Sequence, residues 1–502
     1  MFDWLNRSRK RAVAPPAPPR WDRSAPLLHW SRHDAWTISH SFEGCLILGA
    51  TGSGKSSGSG RQMALAMLEA GYGGLVLTAK ADEAELWTSY CRATGRLDDL
   101  IIVSPGGRWT FNPLDFELNR TGAGAGITEN IVGMFSAILE LAERGSGQGG
   151  GREDEGYWRR ASRQMVRNFV DLLILALGRV SIPELYRAVV SAPQSLAQVR
   201  SDDWQKASFC YRLLRQADDR EKSPGQRRDF ELVLDYLTAE FPSLSDKTRS
   251  VIVSTFTSMV DVMNRGVLRD LFAGDTTFPP DASEQGKVIL VDLPVKEYGE
   301  VGVIANVLMK HSWQRSIERR NTRASPRPVF LFADEAQHFV SAHHDMLFQT
   351  TCRASRVATV LLSQNVSNFY AALGGGEKAR HEADSLFANL VTKVFHANGD
   401  PVTNEWAAGI VGKTRQLFMN ASTNHQPDDW FRAAAGLGPA HGNAGFSEQN
   451  DYEVPPSAFT TLRTGGPAHR GMVDAIVVQS GRRFTATGRP WMRVTFRQEA
   501  QA

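Results

Sequence analysis

The stretch Gly49-Ala50-Thr51-Gly52-Ser53-Gly54-Lys55-Ser56 fits G-x-x-x-x-G-K-[ST] at every position, and the apolar run Cys45-Leu46-Ile47-Leu48 precedes it. Met63, Leu65, Met67 and Leu68 follow at helical spacing. This order reads as a buried strand, a glycine-rich turn and the start of an amphipathic helix. Glycines leave room for backbone N–H groups to close around a β-phosphate, and the helix N-terminus adds partial positive charge. Lys55 is placed to reach the β- and γ-phosphates, and the Ser56 hydroxyl to ligate Mg²⁺. The expected nucleotide-binding segment is Gly49 to Ser56 together with Ser57.

A second segment narrows the chemistry. Pro328-Val329-Phe330-Leu331-Phe332-Ala333 is an apolar strand ending in Asp334-Glu335. Adjacent acids at such a strand end form a Walker B pattern. Asp334 is expected to hold the hydrated Mg²⁺, and Glu335 to orient or deprotonate the attacking water. Paired acids favour hydrolysis of ATP over simple nucleotide binding.

The chain has 502 residues, too many for one ordinary core, and its 42% apolar and 22% charged residues describe a soluble globular protein. Four scattered cysteines, Cys45, Cys91, Cys210 and Cys352, show no C-x-x-C spacing and fit a reducing cytosol. A net charge of +3 makes no case for nucleic acid by itself, so a DNA-binding surface would be a local stripe or a channel lining. No run approaches the ~18 apolar residues of a membrane span. The best, Val170 to Leu177, is short and broken by Asp171. Arg7, Arg9, Lys10 and Arg11 lead into Ala14-Pro15-Pro16-Ala17-Pro18-Pro19. Residues 1–29 are accordingly expected to be a disordered basic, proline-rich arm that could touch anionic lipid or a partner.

Strand-like runs alternate with helical patterns in two places. The first holds Leu46–Leu48, Leu75–Leu77 and Leu100–Val103; the second holds Val288–Val291, Val329–Ala333, Val357–Ser363 and Leu390–Phe395. Alternation of this kind predicts an α/β fold with a mainly parallel sheet covered by helices on both faces. The two acidic and lysine-bearing motifs lie in different series, so one sheet must draw on both. Between Pro113 and about Gln285 only helical periodicity is visible, together with the flexible run Gly145-Ser146-Gly147-Gln148-Gly149-Gly150-Gly151. The expected division is a nucleotide-binding part over 30–112, an all-α insertion over 113–285, and the rest of the nucleotide-binding domain over 286–502. The Gly-, Asn- and Ala-rich stretch Asn420–Gln449 precedes two closing strands, Val473–Val478 and Trp491–Phe496.

These residues resemble the coupling proteins of type IV secretion and conjugation, the TraG/TraD-like ATPases of the FtsK–HerA superfamily. The resemblance runs from about Trp30 onward. It rests on the glycine-rich stretch, Phe111-Asn112-Pro113-Leu114, the helical insertion, Val288–Pro294, Ala333-Asp334-Glu335-Ala336-Gln337, and Arg353 followed by Leu361-Leu362-Ser363-Gln364-Asn365. It implies a RecA-like domain assembled in a ring, usually hexameric, that hydrolyses ATP with Mg²⁺ between subunits and moves DNA without base specificity toward a secretion channel. It also implies a relaxase and channel components as partners. Gln364 is implied to sense the γ-phosphate, and Arg353, with Arg356 as its rival, to be a finger for the neighbouring subunit. Lys80 and Glu83 match a family Lys–acid pair loosely and read as surface residues by default.

The family usually begins with two membrane-spanning helices, and nothing ahead of Lys55 could span a bilayer. The expectation is therefore a cytoplasmic protein, peripheral to the inner membrane through a partner. Two rival readings stay open. One is a docking platform for a relaxase or effector with ATP as an assembly switch; the other is a soluble HerA-like motor in DNA processing or defence. A transporter ATPase is disfavoured because no LSGGQ-like signature is present.

Overall fold

The structure is a computed structural model and describes residues 20–145, 152–423 and 442–498. Residues 1–19 of the expected arm, 146–151 of the glycine run and 424–441 of the Gly/Asn/Ala-rich stretch lie outside the described residues. Nine strands form the central sheet: β1 (Cys45–Leu48), β2 (Gly73–Leu77), β3 (Leu100–Val103), β4 (Val288–Val291), β5 (Val329–Ala333), β6 (Val357–Ser363), β7 (Thr392–Phe395), β8 (Met472–Gln479) and β9 (Trp491–Arg497). Their spatial order is β9-β8-β7-β1-β6-β5-β2-β4-β3. All neighbours are parallel except β8, which runs antiparallel to both β7 and β9. Both series contribute to this sheet.

Why these runs become strands follows from burial on both faces. Leu46 and Leu48 of β1 point into one apolar layer, Cys45 and Ile47 into the other. A strand covered on both sides reads as a continuous apolar run. The layer on the Cys45 side takes Met63, Met67 and Leu68 of the helix Arg61–Glu69. The opposite layer takes Ile304, Leu308 and Trp313 of the helix Val295–Glu318.

Between β3 and β4 the described chain is helical, from Pro113–Asn119 to Gly266–Phe272. The Asn112 side chain starts this excursion by accepting from the Leu114 and Asp115 amides, with Pro113 in the first turn where its missing N–H costs nothing. The outgoing and returning chains are stapled together. Phe111 N–H donates to the Leu271 carbonyl at 2.8 Å, Thr277 N–H to the Thr110 carbonyl at 2.9 Å, and Asn112 Nδ2 to the Gly274 carbonyl at 3.0 Å.

One expectation needs correction. The arm expected to be disordered to residue 29 is structured from Arg20 onward: Pro26–His29 pairs with Ala35–Thr37, and Trp21 Nε1 donates to the Ala70 carbonyl at 2.9 Å. The cause is aromatic burial, with Trp30 edge-on to Phe496 and both Trp30 and Trp36 buried. After Asn398 the chain forms a helix, Pro401–Val411, and a long antiparallel pair, Lys413–Thr423 with Gly442–Tyr452, that no apolar pattern announces.

Candidate functional site

The glycine-rich turn leaves β1 and hangs from its neighbours. Gly49 N–H donates to the Ser363 carbonyl at 3.3 Å, and Ala50 N–H to the Ala397 carbonyl at 2.9 Å. Gly52 and Gly54 take φ of +76° and +83°, where a side chain is strained. A Cβ on Gly54 would also lie 2.6 Å from Val473 Cγ2 of β8. The amides of Gly52, Gly54 and Lys55 donate to no protein group among the described residues. They are the donors that a phosphate cradle requires. The following helix opens with a π-wound turn at Ser56–Gly60, in which Gly60 N–H donates to the Lys55 carbonyl at 2.9 Å. Single turns of this kind recur at functional sites.

That first turn is anchored from the end of β7, the strand beside β1. Ser59 Oγ lies 2.7 Å from His396 Nε2, and His396 Nδ1 lies 3.0 Å from the Asp474 carbonyl. A carbonyl only accepts, so Nδ1 carries the proton and Nε2 accepts from Ser59. Burial pushes His396 down to about 4, so the ring is neutral at pH 7.

The acidic pair ends β5, two strands from β1, with β6 between them. Asp334 Oδ2 accepts from Ser56 Oγ at 2.7 Å. Glu335 Oε1 lies 3.6 Å from Lys55 Nζ. Burial would raise the Asp334 carboxyl, but Lys80 and Lys55 outweigh it and hold the group below its ordinary range. Glu335 follows the same pattern: burial opposes, and the Gln337 hydrogen bond and Lys55 prevail. Its backbone is left-handed at φ +49°, ψ +46°, a conformation costly for a residue with a Cβ. Gln337 holds it there: Nε2 donates to Glu335 Oε2 at 3.0 Å, and Gln337 Oε1 accepts from Ser363 Oγ at 2.8 Å.

Lys80 and Glu83 are not default surface residues. Lys80 Nζ is 2.7 Å from Asp334 Oδ2, and Glu83 is 6% exposed. Glu83 Oε2 accepts from the Ala79 and Lys80 amides, and burial together with nearby Asp334 pushes its carboxyl up to about 8. Gln337 and His396 also escaped the sequence reading. The Ala-Asp-Glu-Ala-Gln run offered a weak signal for Gln337, two residues past Glu335. Nothing local marks His396, whose partner Ser59 is 337 positions away.

Gln364 stands one residue past β6, at the carboxyl edge between the two motifs, and its carbonyl accepts from Asn398 Nδ2 at 2.8 Å. Arg353 is elsewhere. It lies four residues before β6, at the amino edge, and its guanidinium is 3.4 Å from Glu43, two residues before β1. Its side chain is 65% exposed. Arg356 is engaged within the chain, donating to the Pro326 carbonyl at 2.7 Å while its own carbonyl accepts from Val329 N–H.

The donor set fits a magnesium nucleotide. Ser56 and Asp334 offer a hydroxyl and a carboxylate, hard oxygen ligands of the kind Mg²⁺ takes. The unbonded amides and Lys55 suit phosphate oxygens. No cluster of three or more His, Cys, Asp or Glu side chains able to hold a metal occurs among the described residues. No helix among them is long and apolar enough to cross a membrane.

Residues 328–451 match the family described as the TraM recognition site of TraD and TraG. No curated protein matches significantly. Among solved structures, the unbound bacterial conjugative coupling protein TrwBdeltaN70 aligns at a TM-score of 0.59 and 16% identity, over 92% of this chain and 86% of that one. The plasmid coupling protein TrwB in complex with ADP and Mg²⁺ aligns at 0.58 and 17%, over 94% and 91%. Its complex with an ATP analogue aligns at 0.56 and 17%, over 91% and 87%. At these identities the likeness shows a shared fold, the RecA-like α/β architecture. The chain thus carries a match to the TraD and TraG family over residues 328–451 and shares the fold of the conjugative coupling proteins over nearly its whole length.

Proposed function

We propose that the chain is an ATP-hydrolysing motor that couples DNA transfer to a secretion channel, working as a ring, usually hexameric in the family it resembles. One observation carries the reading. Lys55 and Ser56 from one series of strands meet Asp334 and Glu335 from the other at the carboxyl edge of a single sheet, where ligands bind in open α/β folds.

In this reading Gly49 to Ser57 wraps the phosphates and Lys55 pairs with the β- and γ-oxygens. Ser56 and Asp334 hold Mg²⁺, which supplies charge neutralisation on the phosphate oxygens. Glu335 orients water on the γ-phosphorus and accepts its proton as the bond to the bridging oxygen breaks, releasing ADP and phosphate. Gln364, at the same edge, senses the γ-phosphate. Arg353 serves the neighbour. β1 and β6 separate it from its own glycine-rich turn by roughly 13–23 Å at ~3.3 Å per residue, so it can act only across a subunit boundary. Its exposure, against the internal engagement of Arg356, supports that choice.

Residues 30–112 and 286–502 would form the nucleotide-binding body and 113–285 the inserted helical domain, an arrangement the bonded neck at 110–112 and 271–277 supports. DNA would pass the ring without base reading, and a relaxase and channel components would be its other partners. In the matched region 328–451, β5, β6 and β7 are buried in the sheet. A TraM-type partner would therefore meet the exposed helices and the paired segments 413–423 and 442–452. The site of action would be the cytoplasmic side of the inner membrane, reached through a partner.

ATP turnover with and without duplex DNA tests the reading. A rate that rises with DNA supports the motor. Turnover indifferent to DNA, from oligomeric protein, supports the rival docking platform.

A further inference from the structure

Asp334 Oδ2 accepts from two donors at once, the Ser56 hydroxyl at 2.7 Å and the Lys80 ammonium at 2.7 Å. Lys80 Nζ also lies 3.5 Å from Glu335 Oε1. An ammonium thus presses on the carboxylate oxygen that Ser56 shares, where the reading above needs a divalent cation. Two cations on one oxygen repel strongly in a half-buried site, so the two arrangements exclude each other. Close by is a second acceptor. Glu83 Oε2 takes the Ala79 amide at 2.7 Å and the Lys80 amide at 3.3 Å, which fixes the carboxyl beside the root of the Lys80 side chain. Glu83 Oε1 is buried and has no hydrogen-bond partner. A buried polar atom left unbonded is costly and rare. Lysine carries its charge on a flexible stem with rotatable donors, the side-chain type suited to moving between two acceptors.

We propose that Lys80 is a built-in counter-ion of the Asp334–Glu335 pair that gives way when Mg²⁺ and nucleotide load, moving its ammonium to Glu83 Oε1. The inference rests on the nucleotide-binding reading and adds a role for two residues outside both motifs. Before loading, the ammonium keeps two adjacent carboxylates compensated. On loading, it competes with Mg²⁺, so the magnesium requirement of the site is set in part by Lys80, and Glu83, releasing to solvent the proton that burial keeps on it, lowers that requirement by receiving it.

The test is a titration of Mg²⁺ into full-length protein with a fluorescent ATP analogue, reading bound nucleotide rather than turnover. Lys80→Met removes the charge and keeps the stem; the Mg²⁺ midpoint should fall by about tenfold or more. Glu83→Gln can place an NH₂ donor where Oε1 stands, which cannot seat an ammonium, and should raise the midpoint. An unchanged or raised midpoint in Lys80→Met overturns the proposal. If Lys80→Met does not fold, as read by circular dichroism, Glu83→Gln decides, and an unchanged midpoint there overturns it. Wild-type protein that binds no nucleotide at any Mg²⁺ concentration overturns instead the reading on which the inference stands.

Discussion

Ser56 and Asp334, 278 residues apart in the chain, are joined by a 2.7 Å hydrogen bond from hydroxyl to carboxylate. Through that contact the two strand–helix series become one site. The first prediction concerns the turn that carries Ser56. Gly54→Ala places a Cβ at φ +83° and against Val473. The backbone strain alone costs about 1–2 kcal/mol. Nucleotide affinity, read by fluorescence titration, should drop at least tenfold. Adding Val473→Ala relieves the clash but not the strain, so the double variant should recover part of the loss and not all of it.

Acid stability follows from buried imidazole. Burial holds His396 at about 4 and His311 at about 3, against an ordinary 6.5. Between those values the unfolded chain binds protons that the folded chain refuses. Stability is therefore full above about pH 6.5 and falls as pH drops toward 4, by about 3 kcal/mol for His396 alone. His396→Gln offers Ser59 an acceptor and the Asp474 carbonyl a donor without titrating. Denaturant melts at pH 7 and pH 5 should show a smaller pH difference in this variant than in wild type, with the His311 share remaining.

The inner strands of the sheet were legible because they are buried on both faces and read as apolar runs, as in Val288–Val291 and Val329–Ala333, while the edge strand Trp491–Arg497 alternates buried and exposed residues. Lys55, Ser56, Asp334 and Glu335 were legible because each motif is contiguous. Arg353 was nameable only through resemblance, since nothing near it in sequence sets it apart from Arg356. Lys80, Glu83, Gln337 and His396 hide for the opposite reason: their partners lie on other strands, and distance along the chain erases the pattern. The paired segments 413–423 and 442–452 gave no signal because their sequences carry no sustained apolar alternation; Leu417 is 76% exposed.

Catalysis between subunits predicts complementation. Arg353→Ala and Lys55→Ala should each be inactive alone. Mixed, they should regain part of the wild-type rate, because some interfaces then pair an intact glycine-rich turn with an intact arginine. Wild-type activity per molecule should also rise with protein concentration. Absence of rescue, with rates strictly proportional to concentration, would remove Arg353 from the mechanism.

A motor that passes any sequence binds phosphates and not base edges. Affinity for unrelated duplexes should be similar and should fall steeply with salt, since each phosphate contact releases counterions. Fluorescence anisotropy at two salt concentrations, with an ATP analogue present, measures both. Strong preference for one sequence would contradict the expectation.

The account stands most directly on Glu335 as the group that activates water. Glu335→Gln keeps the size and the Gln337 contact but cannot take a proton. In a single-turnover phosphate-release assay it should bind ATP with Mg²⁺ at close to wild-type affinity and hydrolyse it about 10²–10⁴-fold more slowly. Phosphate release at the wild-type rate would contradict the assignment of this site as the seat of hydrolysis.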